Sequence, residues 1–144
     1  MTRFFALAFA MFALASQGSS LGAMQDRDVR PTVLSISRVI SAQTQTITIY
    51  GYGFGENQPY NGNSNYFYMV DIQGNGTGWW RAGCVTKSGD CGTTLSVSTW
   101  TPKRIVVTGF TGDGLYPTSG DLVSFFIWNP QTGRGPGAAA AMVR

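Results

Sequence analysis

The residue types that carry most enzyme chemistry are scarce in this sequence. It contains no histidine, which excludes Ser-His-Asp and Cys-His catalysis and histidine-ligated metal sites. Glu56 is the single glutamate, and the aspartates are dispersed, most of them in turn-forming sequence. Asp113 and Asp121 flank a glycine-rich loop and are candidate calcium ligands, but turn and strand-end roles are favoured for both. We therefore expect no enzyme, no metal site and no cofactor.

Two cysteines, Cys84 and Cys91, are separated by a segment that contains turn-forming residues. Two cysteines without a histidine make a poor metal site, and their spacing differs from the CxxC of redox proteins. In an exported protein the oxidising compartment favours pairing of the two thiols. The sequence therefore predicts a structural disulfide that closes one hairpin-like loop.

Aromatic side chains are abundant, with four tryptophans, six tyrosines and nine phenylalanines. Tyrosine and tryptophan rings stack on the apolar faces of sugar rings, while asparagine side chains bind sugar hydroxyls. One stretch of the chain supplies this mixture. The candidate ligand-binding residues are Tyr60, Asn61, Asn63, Tyr66, Tyr68, Trp79 and Trp80. If the two tryptophans lie in one strand they point to opposite faces, so one of them is expected in the core.

The start of the chain has the organisation of a secretory signal peptide. A short basic head, Met1–Arg3, precedes the apolar run Phe4–Leu14 and the small, polar segment Ser16–Ala23. The apolar run is short for a membrane-spanning helix. We expect cleavage after Ala23 rather than Ala15, and a secreted protein, extracellular or periplasmic, whose mature chain has no membrane span.

Charge gives little indication of a nucleic-acid partner. Ten lysines and arginines oppose seven acidic residues, for a net charge of +3. The basic residues are scattered along the chain, and only Lys103 and Arg104 are adjacent. Because nucleic-acid binding needs a basic stripe or patch, we do not expect a nucleic-acid partner.

The mature chain has the pattern of a β-protein. After a mobile lead, residues 24–30, one domain is expected over residues 31–144. In Gln45–Gly55 (QTITIYGYGFG), apolar Ile47 and Ile49 alternate with polar residues and run into a glycine-rich corner, where Phe54 is expected to close the end of a core. Besides this strand, the predicted strands are Val33–Ile40, Tyr66–Ile72, a short strand from Trp79 towards Thr86, Thr94–Trp100, Arg104–Phe110, Asp121–Trp128 and Ala138–Val143. Trp100 is expected to end a core strand.

Two of these strands, Tyr66–Ile72 and Asp121–Trp128, are apolar on both faces, and in a sandwich only one face meets the other sheet. The outer face therefore needs a cover. Three covers are open: the insertion Gln73–Thr93 folded back over the sheet, a carbohydrate, or another protein chain. Phe126 and Trp128 are the candidate interface residues for the third.

The glycine corner TITIYGYGFG (Thr46–Gly55), the segment VSTWTPKRIVV (Val97–Val107) and DLVSFFIWNPQT (Asp121–Thr132) resemble, in this order, the IPT/TIG family of immunoglobulin-like domains. The resemblance covers most of Pro31–Val143. The segment Glu56–Thr93 is longer than the usual link of that family. The resemblance implies an immunoglobulin-like β-sandwich of about eight strands, a domain type found in cell-surface receptors, transcription factors and accessory modules of secreted bacterial enzymes, with no catalytic residues.

From these features we expect a non-catalytic binding module that recognises polysaccharide or glycoconjugate at a cell surface. The alternative is a structural subunit that uses the same apolar surface to associate with itself or with an envelope complex. A small hydrolase that uses Asp71, Asp113 and Asp121 is a third, weaker hypothesis.

Overall fold

The computed structural model describes residues 29–56, 64–72, 78–82, 94–111 and 115–144. These residues form strands and turns, with no helix among them. The predicted signal peptide, Cys84 and Cys91 lie outside the described residues. The strands are β1 (Thr32–Ile36), β2 (Thr44–Tyr52), β3 (Ser64–Asp71), β4 (Trp79–Ala82), β5 (Thr94–Thr101), β6 (Arg104–Thr111), β7 (Leu122–Ile127) and β8 (Gly137–Met142).

The strands are hydrogen-bonded in the order β1-β2-β6-β5-β4-β3-β7-β8. All neighbouring pairs are antiparallel except β4 and β5, which are parallel. Beyond β1, Val39 forms a parallel bridge with Val143, so the sheet nearly closes on itself like a barrel. The prediction of an all-β protein of about eight strands is therefore confirmed.

The first strand is shorter than the predicted Val33–Ile40. The register between β1 and β2 shifts between Val33 and Ser35, as at a β-bulge, and β1 ends at Ile36. Next to it, the Ser37 backbone N–H donates to the Thr48 carbonyl at 2.8 Å, and the chain then passes to the far edge of the sheet at Val39. Residues Val33–Ile40 thus pair first with β2 and then with Val143, the residue after β8, instead of forming one strand.

The core follows the alternation of the strands. In β2, Ile47 and Ile49 are fully buried, and in β7 the same is true of Val123, Phe125 and Ile127. Between them, the ring of Phe67 from β3 packs edge-on against Trp100 and stacks on Phe125, at centroid distances of 6.1 and 6.3 Å. Trp100 is 1% exposed, as expected.

The glycine corner after β2 closes one end of this core. Phe54 is fully buried, and its ring lies so close to Gly51 that a Cβ on that glycine would be 2.5 Å from the Phe54 Cζ atom. Gly53 and Gly55 have φ values of 73° and 70°, a backbone region that favours glycine. The Phe54 carbonyl accepts a buried hydrogen bond of 3.0 Å from Trp100 Nε1. The expectation that Phe54 closes the core is confirmed.

Candidate functional site

An aromatic cluster lies on the solvent side of β3 and β7. The ring of Tyr68 contacts Phe126 and Trp128, with centroid distances of 5.1 and 5.2 Å. All three side chains are half-buried, and the neighbouring Tyr66 is 37% exposed. The structure therefore brings two predicted ligand-binding residues and both predicted interface residues into one surface, which we term the aromatic face (Tyr66, Tyr68, Phe126 and Trp128).

Strand register builds the aromatic face. Because Phe67 and Met69 point into the core, Tyr66 and Tyr68 point outwards. Tyr68 is directly opposite Phe126 in the β3–β7 ladder, and cross-strand partners project from the same side of a sheet.

The turn that follows β7 holds the last ring of this face. The Trp128 backbone N–H donates to the Tyr66 carbonyl at 2.7 Å, which extends the pairing of β3 and β7 beyond Ile127. The indole packs on the backbone of Gly135, where a Cβ would lie 2.7 Å from the Trp128 Cδ1 atom. The aromatic face is thus fixed by two strands and one turn.

Of the other predicted ligand-binding residues, the structure describes the side chain of Trp80 alone, and Trp80 does not join the aromatic face. Trp80 is 3% exposed, donates from Nε1 to the Leu115 carbonyl at 3.1 Å and packs edge-on against Phe110. It is therefore the core member of the tryptophan pair and presents no ring to solvent. Tyr60, Asn61 and Asn63 lie outside the described residues, as does the side chain of Trp79, whose backbone pairs with Val70.

The position of Trp80 also bears on the cover of this sheet. It sits in β4, a strand of the same sheet, and its side chain is part of the core, so it does not fold over the outer side of β3 and β7. Most of the insertion Gln73–Thr93 lies outside the described residues.

Tyr50 and Tyr52 form a second exposed aromatic pair, which the sequence interpretation passed over. They are 49% and 44% exposed on β2, on the side opposite to Ile47 and Ile49. The signal was present, because the alternation that places the isoleucines inside places both tyrosines outside.

The carboxylate of Asp121 has a structural role. The Asp121 carboxylate accepts hydrogen bonds from the Thr118 hydroxyl and the Thr118 backbone N–H, at 2.7 and 2.6 Å. These bonds lower the pKa of Asp121, since they favour the charged form. Asp121 therefore closes a turn, in keeping with the role favoured from the sequence, whereas Asp113 lies outside the described residues. Among the described residues, no three His, Cys, Asp or Glu side chains group as metal ligands would.

Comparison with known proteins identified no relative: no family model, curated protein or solved structure matched the chain. In the described part of the chain, no helix has the length and hydropathy to cross a membrane.

Proposed function

We propose that the protein is a secreted, non-catalytic binding module that recognises polysaccharide or glycoconjugate at a cell surface. The observation that carries this proposal is the aromatic face. In it the ring of Tyr68 contacts the rings of Phe126 and Trp128, and the exposed Tyr66 lies beside them. Rings held on paired strands lose little conformational entropy when a ligand binds. Such a surface binds by stacking and needs no chemical step.

Strand order supports placing this surface on an immunoglobulin-like sandwich of the IPT/TIG type. In immunoglobulin domains, strands A, B, E and D form one sheet and C, F and G form the other. If β4 is an extra strand after C, the orders β1-β2-β6-β5 and β3-β7-β8 correspond to these two sets. The aromatic face then lies on the outer side of the C-F-G sheet, with β8 at its edge.

Affinity electrophoresis tests the proposal. The exported protein is run through gels that contain soluble neutral polysaccharides, such as xyloglucan, galactomannan or hydroxyethylcellulose. We expect one polymer to retard the protein, and Tyr68→Ala to abolish the retardation. Tyr116→Ala is the matched control, because Tyr116 is also exposed (39%) but lies outside the aromatic face.

Uniform mobility in every gel, or loss of retardation in the Tyr116 variant as well, would contradict the assignment to the aromatic face. Urea unfolding of each variant separates a lost ligand contact from a lost fold.

A second function, assembly with identical chains or a larger envelope complex, is favoured by the strand beside the aromatic face. In the β7–β8 ladder Phe126 is paired with Ala138, which is exposed, as are Ala140 and Met142. These three uncharged side chains extend the apolar surface from β7 onto β8. Assembly predicts a mass in sedimentation that rises with protein concentration, and that falls to the monomer value in Phe126→Lys or Trp128→Lys. A constant monomer mass would contradict it.

A further inference from the structure

A second candidate site lies on the outer side of β2 and β6. In the sheet order these strands are separated from β3 and β7, which carry the aromatic face, by β5 and β4. Tyr50 and Tyr52 are two residues apart in β2, so their Cα atoms are about 7 Å apart and both side chains project from one side of the strand. Tyr50 is directly paired with Arg104 of β6 on one side and with Ser35 of β1 on the other. A hydroxyl, an aromatic ring and a guanidinium therefore lie in one row across three strands.

The cations at this site are exposed. Arg104 follows the turn that joins β5 and β6, and Lys103 lies within that turn. The Lys103 carbonyl accepts a hydrogen bond of 3.1 Å from the N–H of Gly51, the residue between the two tyrosines. The turn thus holds the backbone of the exposed Lys103 next to the residue between the two tyrosines, and within the described residues neither the Lys103 nor the Arg104 side chain has a hydrogen bond or an ion pair.

Carboxylates are absent from the strands that form this surface. β1, β2, β5 and β6 contain no aspartate and no glutamate, and their outward positions carry hydroxyl residues such as Thr46, Ser98 and Thr108, all exposed. The charged residues of these four strands and of the turn between β5 and β6 are therefore both cations, Arg104 and Lys103, with hydroxyl groups on the same strands for further hydrogen bonds.

We infer that this surface, Tyr50, Tyr52, Lys103 and Arg104, binds an acidic polysaccharide, one whose sugar rings carry carboxylate or sulfate groups. The tyrosines stack on the sugar rings, and the two cations bind the acidic groups through charge-assisted hydrogen bonds. Two cations are fewer than the four to eight that typically mark an anionic-membrane site, and they form no stripe for a nucleic-acid backbone. The inference shares the glycan chemistry of the proposed function but rests on a different surface, so each can fail alone.

Titration calorimetry with matched hexasaccharides tests the inference. The probes are the hexamer of galacturonic acid, its methyl ester, which has the same ring shape without charge, and a heparin-derived hexasaccharide for sulfate. We expect one acidic hexamer to bind at least about tenfold more tightly than the methyl ester, the size of one lost charge-assisted hydrogen bond. Higher salt should weaken this binding, because exposed charges are screened.

Variants locate the site. Arg104→Gln and Tyr50→Ala should each weaken binding of the acidic hexamer about tenfold, whereas Tyr50→Phe keeps the ring and should retain it. Arg38→Gln removes the same charge from an exposed arginine beyond the end of β1 and should leave the affinity unchanged. Tyr68→Ala should also leave it unchanged, which separates this site from the aromatic face.

Three outcomes would overturn the inference. One is equal affinity for the acidic hexamer and its methyl ester; another is equal weakening in the Arg38 and Arg104 variants, which indicates nonspecific charge attraction. The third is binding to phosphatidylserine vesicles or single-stranded DNA without binding to either acidic hexasaccharide. Retardation of the protein by a neutral polymer, lost in Tyr68→Ala, would leave the proposed function intact in each case.

Discussion

The side chain of Asn129 joins two turns that are far apart in the sequence. It is 1% exposed; Nδ2 donates to the Gly53 carbonyl at 3.0 Å, and Oδ1 accepts from the backbone N–H groups of Gln131 and Thr132 at 2.9 and 3.2 Å. Asn129→Ala leaves these groups without partners, so we expect a loss of about 2–4 kcal/mol in the free energy of unfolding, measured by urea denaturation.

Gln131 supplies the matched control for this residue. It is an exposed amide in the same turn, and its side chain bonds the Glu56 backbone N–H and carbonyl. Because water replaces those bonds, Gln131→Ala should cost under about 1 kcal/mol. Equal losses in the two variants would show that the corner does not depend on the buried Asn129 amide.

At the scale of the strand, the packing of β2 against β1 requires a glycine at position 51. Gly51 is on the core side of β2, and a Cβ there would overlap the Thr32 carbonyl oxygen of β1 and the Phe54 ring. The oxygen belongs to a paired strand and cannot move away cheaply. We therefore expect Gly51→Ala to lower the free energy of unfolding by about 3 kcal/mol, measured by chemical denaturation.

Thr46→Ala is the control on the same strand, because Thr46 is exposed and a surface change of this kind stays within about 0.5 kcal/mol. If Gly51→Ala proves as mild as Thr46→Ala, then β1 separates from β2 easily. The register at Thr32 and Val33 would then not be what requires glycine at position 51.

For the whole molecule, the sequence predicted the strands but not which side chains of different strands contact each other. Local alternation suffices for β2, since the inward position of Ile49 and the outward position of Tyr50 follow from a period of two. In β7 both faces are apolar, so the sequence does not say that Phe125 rather than Phe126 enters the core. The contact of Tyr68 with Phe126 depends on the register of strands distant in sequence, which local pattern cannot supply. The core position of Trp80 likewise depends on the β3–β4 register and on Leu115, which accepts its N–H bond.

The predicted disulfide would act at this largest scale, because Cys84 and Cys91 belong to the connection between β4 and β5. That parallel pair, Arg81 with Thr94 and Ala82 with Leu95, is the ladder that joins β1-β2-β6-β5 to β4-β3-β7-β8. We expect the oxidised protein to have no titratable thiol, and reduction to lower the free energy of unfolding by about 2–3 kcal/mol, because the cross-link restricts the unfolded chain. A variant with both cysteines changed to serine should have the stability of the reduced protein and not respond to reductant. Two thiols that react in the folded, air-oxidised protein would show instead that the two halves are joined by the β4–β5 ladder without a covalent link.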